Sequence, residues 1–86
     1  MALIIEADGS MACTEPKNGS DFSLEELQFF VGGLIEILDI DENKVLVCNE
    51  EGRLKNLPIN ERVSGFLDLD FPIFGPVLVC MKSQIL

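Results

Sequence analysis

Hydrophobic residues fall along the chain in short runs that are separated by turn signals. A β-branched run over residues 2–7 ends at Asp8-Gly9, and a second run follows at Met11–Thr14. Two such runs around an Asp-Gly dipeptide predict an antiparallel hairpin. We therefore expect residues 1–22 to form an N-terminal hairpin that ends in a polar loop over 15–21.

A helical pattern begins at Ser23. Glu26 follows Ser23 by three residues, which is the capping-box signature of a helix start. Apolar residues then recur at helical spacing, at Leu24, Leu27, Phe30 and Val31. The pair Gly32-Gly33 is typical of a helix end, so the pattern predicts one helix between Ser23 and Gly32.

Two β-rich runs, 34–38 and 44–49, flank the acidic connector 39–43 and predict a second hairpin. After a turn at 50–52, residues 54–58 are expected to stay extended, because Pro58 disfavours helix at the preceding residue.

Asn60 can cap a short helix through residue 67, and residues 77–81 read as a buried strand. The order ββ-α-ββ-α-β predicts a single small α+β domain over 1–86, with a mostly antiparallel sheet, two short helices and one helical layer.

The charge balance restricts the partners that the chain can bind. Fifteen acidic residues against six basic ones give a formal charge of −9 and a pI near 4.1. Such a surface repels phosphate backbones and anionic membranes, so we expect no direct nucleic acid and no membrane among its partners. Histidine is absent from the sequence, which removes the usual general base and the commonest zinc ligand.

Cysteine usage and hydropathy bear on the compartment. Cys13, Cys48 and Cys80 are an odd set without C-x-x-C spacing, so a disulfide framework is not expected. No apolar stretch is long enough for a signal sequence or a membrane span. These features predict a soluble cytoplasmic protein.

Three ordered segments resemble a known family. They are VGGLIE at 31–36, VLVCNEEGRLKNLPIN at 45–60 and GPVLV at 75–79, and they are similar to the family catalogued as domain of unknown function 3846. The resemblance covers a core at 24–80 and does not extend to the N-terminal hairpin. It implies a short protein of bacteria, phages or plasmids without an assigned activity, in a mobile-element setting where counter-defence roles are common.

The most informative local feature is a cluster of basic residues in this acidic chain. Arg53, Lys55 and Arg62 are half of all basic residues. Arg53 and Lys55 are expected to share one strand face, next to the helix start after Asn60. Together with Asn56 they could bind a small nucleotide-like anion. In the alternative interpretation, the cations neutralise nearby glutamates and Asn60 only caps its helix.

Other candidate sites are weaker. Asp39, Asp41, Asn43 and Glu50 match positions of a calcium loop, but Lys44 occupies the position that needs glycine. The acid pairs Glu25-Glu26 and Glu50-Glu51 read as solvated surface. Because no histidine could activate a cysteine, the sequence predicts no enzyme. It also predicts no metal site and no cofactor.

These observations favour a non-enzymatic binding protein that sequesters a nucleotide-like anion. The alternative is an acidic DNA mimic or protein-interaction module that occupies a host protein. A homo-oligomer is expected in either case, formed through an open sheet edge or through an exposed apolar patch at residues 71–74. That segment could equally be a connector packed over its own sheet.

Overall fold

The polypeptide folds into strands and helices in the predicted order. A computed structural model describes residues 2–52, 54–66 and 72–85. Its elements are β1 (Ala2–Ile5), β2 (Met11–Thr14), α1 (Leu24–Val31), β3 (Ile35–Asp39), β4 (Lys44–Asn49), α2 (Glu61–Phe66), β5 (Val77–Met81) and a 3-10 turn at Lys82–Gln84. The described strands form one five-stranded sheet of order β2-β1-β5-β4-β3, and its four ladders are antiparallel. The α+β prediction is confirmed.

The last strand occupies the centre of the sheet. Both predicted hairpins form, and β5 inserts between them, with Val77 opposite Ile5 and Leu78 opposite Val47. Val77 and Leu78 are fully buried. The C-terminal strand therefore joins two hairpins that are local in sequence into one sheet.

Helix α1 has the local structure that its capping pattern predicts. The Ser23 hydroxyl accepts a hydrogen bond from the Glu26 main-chain N–H at 3.2 Å, and the Glu26 carboxylate accepts one from Ser23 N–H at 3.0 Å. Gly32 ends the helix at φ +81°, a left-handed conformation that favours glycine. Leu27 and Val31 pack on the sheet in a cluster with Val47, Leu78, Cys80 and Phe22.

Helix α2 lies on the opposite face of the sheet. Val63 is buried in a second cluster with Ile5, Leu46, Cys48, Ile73 and Val77. Neighbouring residues of β4 thus face different helices, because successive side chains of a strand point to opposite sides. The expectation of one helical layer was wrong, since each face of the sheet carries one helix.

The segment predicted at 71–74 is packed at Ile73 and Phe74, whereas Pro72 is exposed. Ile73 is buried and Phe74 is half-buried, in an antiparallel bridge with Ile59, whereas Phe71 lies outside the described residues. The connector interpretation therefore holds for Ile73 and Phe74.

Candidate functional site

The predicted anion-binding residues lie in the connection between β4 and α2. Residues 54–56 form turns rather than a strand, and Lys55 N–H donates to the Glu51 carbonyl at 2.9 Å. Gly52 lies in this turn, where a Cβ would lie 3.0 Å from the Phe74 carbonyl oxygen, so the close approach favours glycine. The prediction that Lys55 lies on a strand face was wrong, and Arg53 lies outside the described residues.

Lys55 lies near the β3–β4 side of the sheet. Its Nζ atom is 3.9 Å from the Glu51 carboxylate, and both side chains are about two-fifths exposed. A Cβ added at Gly33 would lie 2.7 Å from the same Nζ. Solvent-exposed pairs of this kind contribute little stability, but the contact directs the ammonium towards an acid of its own chain.

Arg62 lies towards the opposite edge of the sheet, beside the first hairpin. Its Nε atom is 3.6 Å from the position of a Cβ at Gly9, in the turn of the first hairpin. A shallow cleft of about 370 Å³ is formed there by Ala7, Asp8, Gly9, Glu61 and Arg62. β5 lies between β1 and β4, so these two strands are about 10 Å apart at the usual strand spacing. The structure therefore places Lys55 and Arg62 beside different strands.

The two asparagines have different surroundings. Asn56 is exposed, with a left-handed backbone at φ +57°. Asn60 is fully buried, and its Nδ2 donates to the carbonyls of Ile5 at 2.9 Å and Gly75 at 3.0 Å. Its Oδ1 accepts from Val63 N–H at 3.3 Å, as a helix cap does. An anion would have to displace these bonds to reach the Asn60 amide.

Sequence reasoning missed the outer edge of β3. Leu34 carbonyl accepts from Glu50 N–H, and Ile40 N–H donates to Lys44 carbonyl, so both positions face β4. Main-chain groups alternate in direction along a strand. The N–H and C=O groups of Ile35, Ile37 and Asp39 therefore point away from β4. Within residues 2–52, 54–66 and 72–85, no strand covers that edge.

The β3–β4 hairpin combines acidic and apolar exposed groups. Five acidic residues and one lysine lie between positions 34 and 50, and the acids Glu36, Asp39, Asp41, Glu42 and Glu50 are all exposed. Ile37 is 42% and Leu34 51% exposed. The signal in the sequence was a strand in which the acids Glu36 and Asp39 stand among apolar residues, a charge pattern that disfavours pairing with another acidic strand.

Several of these acids have local partners. Asp39 lies 3.5 Å from the Lys82 ammonium. The Asp41 carboxylate accepts hydrogen bonds from the main-chain N–H groups of Asn43 and Lys44, and these bonds lower its pKa. Asp41 therefore closes the hairpin turn. In the part of the chain that the structure describes, no three potential metal ligands come together.

A cleft of about 200 Å³ lies beside Glu36 on the α2 face. It is lined by Glu36, Cys48, Asn49, Glu50, Pro72, Ile73 and Phe74. Burial raises the pKa of the Cys48 thiol to about 11, and the Glu36 carboxylate acts in the same direction. The cleft thus joins two carboxylates to an aromatic wall, with a thiol that stays protonated at neutral pH.

Comparison with known proteins places the chain in a family. No curated protein and no solved structure matches it significantly, and no helix in the described residues is long and apolar enough to cross a membrane. The family model described as Domain of unknown function (DUF3846) matches residues 1–84. This match includes the N-terminal hairpin, which the resemblance at 24–80 had left out. The chain belongs to the DUF3846 family.

Proposed function

We propose that this chain is a non-enzymatic protein-binding module that accepts a basic, extended segment of a partner along the outer edge of β3. The open edge is the observation that carries the proposal. Ile35, Ile37 and Asp39 present main-chain donors and acceptors there, and an added strand can satisfy them.

Charge selects the class of partner. The hairpin 34–50 has five acids and one lysine within a chain of net charge −9. A second acidic chain would be repelled, whereas lysine and arginine side chains would be attracted over a range set by the salt concentration.

The two faces of the edge offer different contacts to an added strand. On the α1 face, Ile37 supplies exposed apolar surface. On the α2 face, Glu36 and Glu50 flank the cleft with Phe74, where a cationic side chain could contact both carboxylates and the ring. A segment with alternating apolar and basic residues fits this arrangement.

Two features support a role without catalysis. The chain has no histidine, and the raised pKa of Cys48 keeps its thiol protonated at neutral pH. A host-protein target, expected from the acidic charge, and a counter-defence role, implied by the family resemblance, stay predictions, as does the DNA-mimic alternative.

Sequestration of a nucleotide-like anion by Arg53, Lys55, Asn56, Asn60 and Arg62 also stays a prediction. The internal bonds of Asn60 and the Lys55–Glu51 pair count against a preformed pocket. Equilibrium dialysis against radiolabelled nucleotides, with an Arg53→Ala plus Arg62→Ala variant as control, distinguishes this function from peptide binding.

The test is a selection from a displayed library of random dodecapeptides, followed by calorimetry on the enriched peptides. We expect enrichment in lysine and arginine, and weaker binding at high salt. Ile37→Pro removes one outward N–H without touching the β4 ladder, and it should weaken binding roughly tenfold. Met11→Pro makes the same change on β2 and should have no effect. Selection of neutral peptides, or equal losses in both variants, would contradict the proposal.

A further inference from the structure

The second open edge of the sheet differs from the first in charge. In residues 2–52, 54–66 and 72–85, no strand lies beyond β2. We propose that β2 pairs with β2 of a second copy of this chain, antiparallel and across a two-fold axis, to give a ten-stranded sheet. This contact is independent of the peptide-binding edge at β3.

The backbone of β2 sets the register of such a pair. Ser10 carbonyl accepts from the N–H of Glu6, the residue after β1, at 2.8 Å, so the main-chain groups of Ser10, Ala12 and Thr14 face β1. By alternation, the main-chain N–H and C=O groups of Met11 and Cys13 point outwards, away from β1. A two-fold axis at Ala12 places Met11 of each copy opposite Cys13 of the other, which satisfies both donors and both acceptors on each strand.

The side chains of β2 permit the approach of an identical chain. Met11–Thr14 carries no charge, proline or bulge, the devices with which natural edge strands prevent pairing. Met11 is 49% exposed, and Ala12 at the axis is exposed and small. In contrast, β3 would bring Glu36 and Asp39 of two copies together. In a chain of charge −9, β2 is the edge that a second copy can approach.

The contact is short, and this determines its strength. Four residues per edge bury less surface than the interfaces of stable dimers. We expect a dimer that forms and dissociates with concentration rather than a permanent one.

Sedimentation velocity over a hundredfold range of concentration tests the contact. The wild type should shift from 9.5 kDa towards twice that mass. Ala12→Glu sets two carboxylates against each other and should stay monomeric, whereas Ile37→Glu, the matched change on β3, should dimerise normally. Mixing Ala12→Glu with Ala12→Lys should restore the dimer, which excludes misfolding as the cause of the loss. A wild type that is monomeric throughout would overturn the proposal, as would equal behaviour of the two glutamate variants.

Cross-linking tests the register in a Cys13→Ser background. At a non-hydrogen-bonded antiparallel pair, Cα atoms lie about 4.5 Å apart, within disulfide range. Ala12→Cys should therefore form a covalent dimer on mild oxidation. Thr14→Cys on the same face lies roughly 13 Å from its counterpart in this register and should not. Cross-linking of Thr14→Cys in preference to Ala12→Cys would refute the register.

Discussion

The side-chain amide of Asn60 donates a hydrogen bond of 2.9 Å to the main-chain carbonyl of Ile5, 55 positions earlier in the sequence. The same amide bonds to the Gly75 carbonyl and caps α2 through Val63 N–H. One buried side chain therefore ties together β1, the start of α2 and the segment before β5.

Asn60→Ala should destabilise the fold strongly. The change removes the helix cap and two further hydrogen bonds of a fully buried side chain, for an expected loss of about 3 kcal/mol in the free energy of unfolding. Urea denaturation measures it. Asn43→Ala, an exposed site in the β3–β4 turn, is the control and should change stability by less than about 0.5 kcal/mol.

Gly75→Ala should also destabilise the protein. Gly75 has φ +82°, and an added Cβ would lie 2.8 Å from Cδ1 of Leu57. The left-handed backbone and this contact together predict a loss of about 2 kcal/mol. Gly65→Ala in α2 meets no atom within 4 Å and should leave stability unchanged or raise it by up to about 1 kcal/mol. Equal effects of the two changes on thermal melting would be inconsistent with this geometry.

The capping box makes stability depend on pH. Hydrogen bonds from the main-chain N–H groups of Ser23 and Lys17 lower the pKa of Glu26 below its usual 4.5. A carboxylate with a lowered pKa stabilises the fold above its unfolded-state pKa, and this contribution is lost as the pH falls through the folded-state pKa. The melting temperature of wild type should exceed that of Glu26→Gln at pH 7, and the difference should shrink below about pH 4.5. A difference that is constant from pH 7 to pH 3 would contradict this assignment.

The three thiols should react at different rates. Burial raises the pKa of Cys80, and it raises the pKa of Cys48 to about 11, so roughly one Cys48 thiol in a thousand is ionised at pH 8. Cys13 is exposed on β2. With Ellman's reagent, the native protein should show one fast thiol, and Cys13→Ser should abolish the fast phase. All three thiols should react in guanidinium, and a fast phase that survives in Cys13→Ser would contradict the burial of the other two.

The sequence predicted the elements that depend on local contacts. The Asp8-Gly9 turn and the Ser23–Glu26 capping box depend on bonds over two or three residues, so the pattern of residues was enough to find the first hairpin and α1. The same holds for Asn60 as a cap, since its bond to Val63 N–H is local. Lys55 was assigned to a strand because Pro58 disfavours helix, but the turn at Gly52 packs against Phe74, 22 positions later.

Only the tertiary structure decided how distant segments of the chain pair and pack against one another. Strand β5 lies between β1 and β4 through pairs such as Leu3 with Val79, and this insertion makes β2 and β3 the open edges. The same topology decides which face of α2 is buried and where the cleft beside Glu36 lies. It also separates Lys55 from Arg62. Such pairings are set by the packing of a whole core, in which each strand has several partners of similar hydrophobicity, whereas the sequence alone records only what neighbouring residues favour.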